Sequence, residues 1–183
     1  MNINYPARLS RIMTGICLVM LFTSANVLAH GELVWNDFTI DNKNDSITAA
    51  IGQVRKEIAD IILGRREVKE WPDRELMRLK DELEHYLEEH EALLNYFKEE
   101  QKVNLNSSRQ LMDNPRAGRS MVAGIAMETA IALIDYIATL ENPAAFEEDL
   151  HLEGKGAYMF DLMDSYTDTM DLYVELAKIK SLE

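Results

Sequence analysis

Apolar side chains recur at three- and four-residue steps along most of the chain, which is the period of an amphipathic helix. The clearest run lies in residues 72–101, where Pro72 suits a first helical position. Seven side chains in this run follow a heptad pattern: Leu76, Leu79, Leu83, Tyr86, His90, Leu93 and Phe97. The pattern predicts one long helix of roughly 45 Å with an apolar stripe facing the core.

Two further segments predict helices that begin or end at recognisable signals. Residues 46–63 carry isoleucines at helical spacing, begin where Asp45 or Ser46 could cap a helix, and stop at Gly64. Residues 120–140 contain few polar side chains, which indicates a helix that is buried on most sides, and Pro143 follows its end.

A fourth helix is predicted over residues 157–179, where methionines and tyrosines form one stripe. The stripe is either core filler or a soft surface for Cu(I). Four helices and no convincing strand predict an all-α protein folded as a four-helix bundle. Residues 30–45 show no helical period around Trp35 and Phe38, so we expect an extended arm that docks on the bundle.

The first 29 residues differ sharply in composition from the rest, because they contain none of the 32 Asp and Glu residues. Arg8 and Arg11 precede an apolar stretch over residues 12–22, and Ala29 follows as a small residue at a cleavage position. This arrangement predicts a secretory signal peptide, with an uncleaved membrane anchor as the alternative. The expected organisation is a signal peptide (1–29), an arm (30–45) and a helical bundle domain (46–183).

Composition then points to the compartment and excludes one class of partner. Two of the 19 Lys and Arg lie in the leader, so cleavage changes the formal net charge from −13 to −15. Such an acid excess excludes a nucleic-acid surface, which needs clustered basic side chains. The single Cys is Cys17 of the leader, so the mature chain has no disulfide. We expect a periplasmic or secreted protein that meets the membrane only through its leader.

Cleavage after Ala29 would make His30 the N-terminal residue. Its amine and imidazole nitrogens could together bind Cu(II). The start His30-Gly31 resembles that of copper oxygenases with a histidine brace, which are β-rich proteins, so the resemblance implies copper and not a shared fold. The candidate metal ligands are His30, His85, His90 and His151.

The motif Glu-x-x-His occurs twice, at Glu82–His85 and Glu148–His151. Ferritin-like di-iron proteins use two such motifs and one Glu from each of the other two helices. The full set predicted for this alternative is Glu57, Glu82, Glu128 and Glu148 with the histidines of the two motifs. Against it, the apolar seam of residues 72–101 holds His90 and not His85.

His90 itself lies in an apolar seam, where a histidine is expected to be hydrogen-bonded inside the core. A metal ligand or a pH switch are the alternatives for this residue.

Glu128 and Asp135 lie seven residues apart and share one helix face, which predicts a solvent-facing stripe in preference to an acid–base pair. No catalytic motif accompanies them. The leading hypothesis is an exported binding or accessory protein that binds another envelope protein or self-associates. Copper binding and a di-iron centre are the alternatives.

Overall fold

The computed structural model describes residues 34–182, which form six α-helices and no strand. The all-α prediction is therefore confirmed for this part of the chain. Four helices have 25 or 26 residues, and two short helices lie in the connections between them. In chain order the helices are α1 (Asp37–Ile62), α2 (Arg74–Glu99), α3 (Ser108–Asp113), α4 (Pro115–Thr139), α5 (Pro143–His151) and α6 (Lys155–Lys180).

The predicted extended arm is wrong for residues 37–45, because α1 already begins at Asp37. The side chain of Asn36 accepts a hydrogen bond from the backbone N–H of Thr39 at 3.0 Å and caps the helix. Ile40 and Asn44 continue the buried stripe of α1 toward its start. The sequence shows no helical period of apolar residues before residue 46, because the polar residue Asn44 occupies a core position.

Two Asn-Pro pairs begin helices, although such pairs are also typical of turns. The side chain of Asn114 accepts from the N–H of Ala117 at 3.2 Å, and Pro115 takes the first turn of α4. Asn142 caps α5 in the same way. Proline suits this position because it has no N–H to leave unpaired. Helix α4 therefore starts five residues before the predicted residue 120.

The four long helices alternate in direction along the chain, and α4 packs against α1, α2 and α6. Helices α1 and α4 run parallel, while α2 and α6 run antiparallel to both. The side-chain pairs that fix these directions include Asn44 with Ser120, Lys43 with Glu89, Lys80 with Asp135, His90 with Ser120, and Arg55 with Asp164.

Helix α4 is the most apolar of the six, and within the described residues it alone is long and apolar enough to cross a membrane by length and composition. Its most apolar stretch has a mean hydropathy of 1.6, and 44% of that stretch is buried. The buried side supplies Met127, Leu133 and Ile134 to the main core. A large part of an apolar helix therefore remains at or near the surface.

Candidate functional site

His90 lies in the apolar seam of α2, as predicted, and its side chain is only 1% exposed. The ring Nε2 is 2.8 Å from the backbone carbonyl oxygen of Ser120, so Nε2–H donates and Nδ1 carries the lone pair. Nδ1 has no hydrogen-bond partner among residues 34–182. Burial lowers the pKa of His90 to about 4, which keeps the ring neutral at pH 7.

A buried polar layer surrounds this histidine and joins α1, α2 and α4. The amide of Asn44 donates to the hydroxyl oxygen of Ser120 at 3.0 Å, and both side chains are fully buried. Arg119 reaches from α4 to the carboxylate of Asp45 at 2.8 Å. The Ser120 hydroxyl faces Asn44 while His90 bonds its carbonyl, so His90 is not placed as a base for that hydroxyl. The layer fixes how three helices align.

The histidines predicted as metal ligands are not brought together in the described residues. His85 is 67% exposed beside Glu89, and His151 is 78% exposed beside Glu147. His90 is buried with 1% exposure, and His30 lies outside the described residues. Residues 34–182 contain no group of three or more His, Cys, Asp or Glu side chains that could hold a metal ion.

The carboxylates predicted for a di-iron centre also face different surroundings. Glu82 accepts from Arg78 at 2.9 Å on the surface of α2, while Glu128 and Glu148 are exposed. Only Glu57 is buried, and there it binds Arg66 and accepts from Gln53 at 2.8 Å. The described residues therefore do not assemble that ligand set.

Glu57 belongs instead to an ion cluster that closes the turn between α1 and α2. Arg66 bridges the carboxylates of Glu57 and Asp73. Asp73 also caps α2 by accepting from the backbone N–H of Glu75 at 2.9 Å. Burial alone would raise the pKa of Asp73, but the bonds from Arg66 and from the start of α2 outweigh burial, so its pKa is lowered.

The outward face of α4 carries a different kind of site, formed by two apolar clefts. The first, the α2–α4 cleft, has a volume of about 350 Å³. Gly124 gives this cleft its depth, because a Cβ there would lie 3.2 Å from the His90 ring at its floor. The residues that line the α2–α4 cleft are Leu87, His90, Glu91, Leu94, Met121, Gly124, Ile125 and Glu128.

The second cleft, the α4–α6 cleft, lies on the other flank of the same helix and has a volume of about 450 Å³. Its residues are Glu128, Thr129, Ala132, Lys155, Tyr158, Met159 and Leu162. Glu128 lines both clefts, so they form one continuous surface along and across α4. We call this surface, made by the residues of the two clefts, the outer face of α4.

A third cleft, of about 340 Å³, lies where α1, α4 and α6 meet and contains Arg116 and Arg119. Arg116 Nε donates to the carboxylate of Asp41 at 3.0 Å, and Asp45 pairs with Arg119. Both guanidinium groups are thus already bound by carboxylates of α1. Ion pairs in this cleft hold α1 against α4, and among the described residues only Arg119 Nε of the two guanidinium groups is buried without a hydrogen-bond partner.

Sequence reasoning found the exposed position of Glu128 and Asp135 but missed the apolar surface around them. Met121, Ile125 and Ala132 lie on the same face of α4 as Glu128, and this spacing was the available signal. Comparison with protein-family models, with curated proteins and with solved structures finds no match to the chain.

Proposed function

We propose that the chain is an exported four-helix-bundle protein that acts by binding another protein of the cell envelope, through the outer face of α4. The observation that supports this proposal is the pair of apolar clefts on the most apolar helix, which meet at Glu128. Exposed apolar clefts with a few charged groups at their edges are typical of protein-binding surfaces.

The chemistry of the remaining polar groups supports binding over catalysis. His90 and Ser120 are committed to hydrogen bonds that align helices, and the Arg66 cluster closes a turn. The acid-free leader with Arg8 and Arg11 supports export, which places the partner in the periplasm or outside the cell. Copper binding at a mature N-terminal His30 stays a prediction.

The proposal is tested by placing a photo-crosslinking amino acid at position 125, in the wall of the α2–α4 cleft. Irradiation of cells that export the full chain should join it to a second protein, because a partner covers that cleft. Leu172 is the matched control: it is also apolar and is 69% exposed, but it lies on α6 outside both clefts. Equal adducts from positions 125 and 172, or none from 125, would contradict the proposal.

A further inference from the structure

The partner's chemistry follows from two carboxylates on the outer face of α4, and this inference rests on the proposed function. Glu91 and Glu128 both line the α2–α4 cleft, and neither has an ion-pair partner among residues 34–182. Glu89 and Asp135 on the same two helices are paired, with Lys43 and with Lys80 at 2.8 Å, whereas Asp81, Glu88 and Glu99 of α2 are unpaired among the described residues but lie outside the cleft. The cleft therefore combines apolar walls with uncompensated negative charge.

The dimensions of the surface suit a helix. Leu87 and Leu94 lie two turns apart on α2, opposite the antiparallel stretch from Met121 to Glu128. On α4 the surface continues to Ala132, so it extends over roughly 17 Å along the helix axis. A helix laid into an apolar groove contacts it through residues three and four apart, which matches a surface of three turns.

We propose that the outer face of α4 binds an amphipathic helix whose apolar side enters the clefts and whose Lys or Arg side chains reach Glu91 and Glu128. The charges also orient this helix. Glu91 lines only the α2–α4 cleft, Glu128 lies where the two clefts meet, and the cation Lys155 lines only the α4–α6 cleft. The basic residues of the bound helix therefore face α2 and the junction of the clefts, away from Lys155.

A second copy of the chain fits this face less well. A two-fold contact centred where the clefts meet would bring the Glu128 residues of two copies together, with Glu91 adding further negative charge. The formal net charge, −13 for the whole chain and −15 after the expected cleavage, makes the approach of two copies less favourable still. A partner with basic residues removes both obstacles, because its charges complement the carboxylates.

The test uses a synthetic amphipathic helical peptide with leucines on one side and lysines on the other, titrated into the purified protein at physiological salt. The same peptide with glutamate in place of lysine is the charge control. We expect the lysine peptide to bind and the glutamate peptide not to bind. Equal binding of both peptides, or binding of neither, would overturn the inference.

Variants separate a specific site from general attraction to an acidic protein. The double variant Glu91→Gln/Glu128→Gln should weaken binding of the lysine peptide about five-fold, because two partly exposed ion pairs are lost. Ile125→Glu should weaken it more, about twenty-fold, because it places a charge against the apolar side of the peptide. The controls Glu99→Gln/Glu148→Gln and Leu172→Glu make the same chemical changes outside the clefts and should leave the affinity unchanged.

Each failure has a different meaning. If the cleft variants and their controls weaken binding equally, the peptide binds by general charge and the inference about the partner is wrong. If the protein instead forms a dimer that Ile125→Glu abolishes, the occupant is a second copy. Both outcomes leave a binding role open, whereas the absence of an adduct from position 125 in cells rejects the proposed function itself. Circular dichroism and unfolding curves of every variant check whether the fold is retained.

Discussion

At the scale of single residues, His90 shows how much of a buried polar group can be predicted. Its place in the heptad of α2 predicted a core histidine with a hydrogen-bonded neighbour, and the structure confirms both points. The neighbour, the carbonyl of Ser120, could not be predicted, because it depends on how α4 lies against α2. Gly124 permits that approach, since its missing side chain leaves room for the ring.

The buried position of His90 predicts a pH-dependent stability. The pKa of the ring is about 4 in the folded protein against an ordinary value of 6.5, so the unfolded chain binds a proton more readily between these values. The contribution of the neutral His90 ring to the free energy of unfolding is therefore fully present above pH 6.5 and is lost as the pH falls toward 4. The full loss corresponds to about 3 kcal/mol in the free energy of unfolding. Denaturant unfolding curves from pH 7.5 to pH 4 measure it.

Comparison of two variants isolates this histidine from the many carboxylates that titrate nearby. His90→Gln removes the titrating ring, so the free energy of unfolding of this variant should change less between pH 6.5 and pH 4. His85→Gln removes an exposed ring and should keep the dependence of the natural protein. Identical pH profiles for the natural protein and His90→Gln would show that His90 does not control its acid stability.

At the scale of helices, the apolar period located the centres of the long helices but not all of their ends. The heptad of α2 is unbroken, so its buried face was predicted almost residue by residue. In α1 and α4 the polar layer interrupts the period, because Asn44, Arg119 and Ser120 occupy buried positions near the helix starts. Buried polar residues break a hydrophobic pattern without breaking the helix.

The approach of α4 to α6 predicts opposite effects for two glycines. A methyl group at Gly118 would overlap the ring of Tyr173, so Gly118→Ala should destabilise the protein by about 1–3 kcal/mol. Gly52 in α1 has nothing within 4 Å of an added Cβ, so Gly52→Ala should stabilise the protein by about 0.5–1 kcal/mol through helix propensity. Unfolding curves of both variants test this; a Gly118→Ala protein as stable as Gly52→Ala would contradict the close contact.

At the scale of the whole molecule, the composition predicted a helical protein, but the sequence could not predict which side of α4 stays uncovered. The sequence of an apolar helix has the same pattern of apolar residues whether three or four neighbouring helices surround it. Among residues 34–182, α1, α2 and α6 pack around α4, and two clefts lie on its remaining side. The candidate site is thus a property of the packing, although His90, Glu128 and the methionine stripe that includes Met159 were singled out beforehand.

The predicted metal ligands are not brought together among the described residues for a related reason. Spacing along a helix determines which residues share a face, but the packing of the helices determines whether that face points inward. His85 and His151 share a helix with a Glu three residues earlier, yet both histidines face solvent. The Glu-x-x-His spacing alone therefore does not bring metal ligands together in the described part of the chain.

The central claim, that a partner covers the outer face of α4, is tested most directly by methionine oxidation in the native envelope. Met121 lines the α2–α4 cleft and Met159 the α4–α6 cleft, whereas Met112 is 58% exposed on α3 outside both clefts. Mild peroxide is applied to the envelope fraction and to the purified protein, and mass spectrometry follows each sulfoxide. We expect Met121 and Met159 to oxidise more slowly in the envelope, with Met112 unchanged. Equal rates for Met121 and Met159 in the two samples would show that this face is uncovered and would contradict the account.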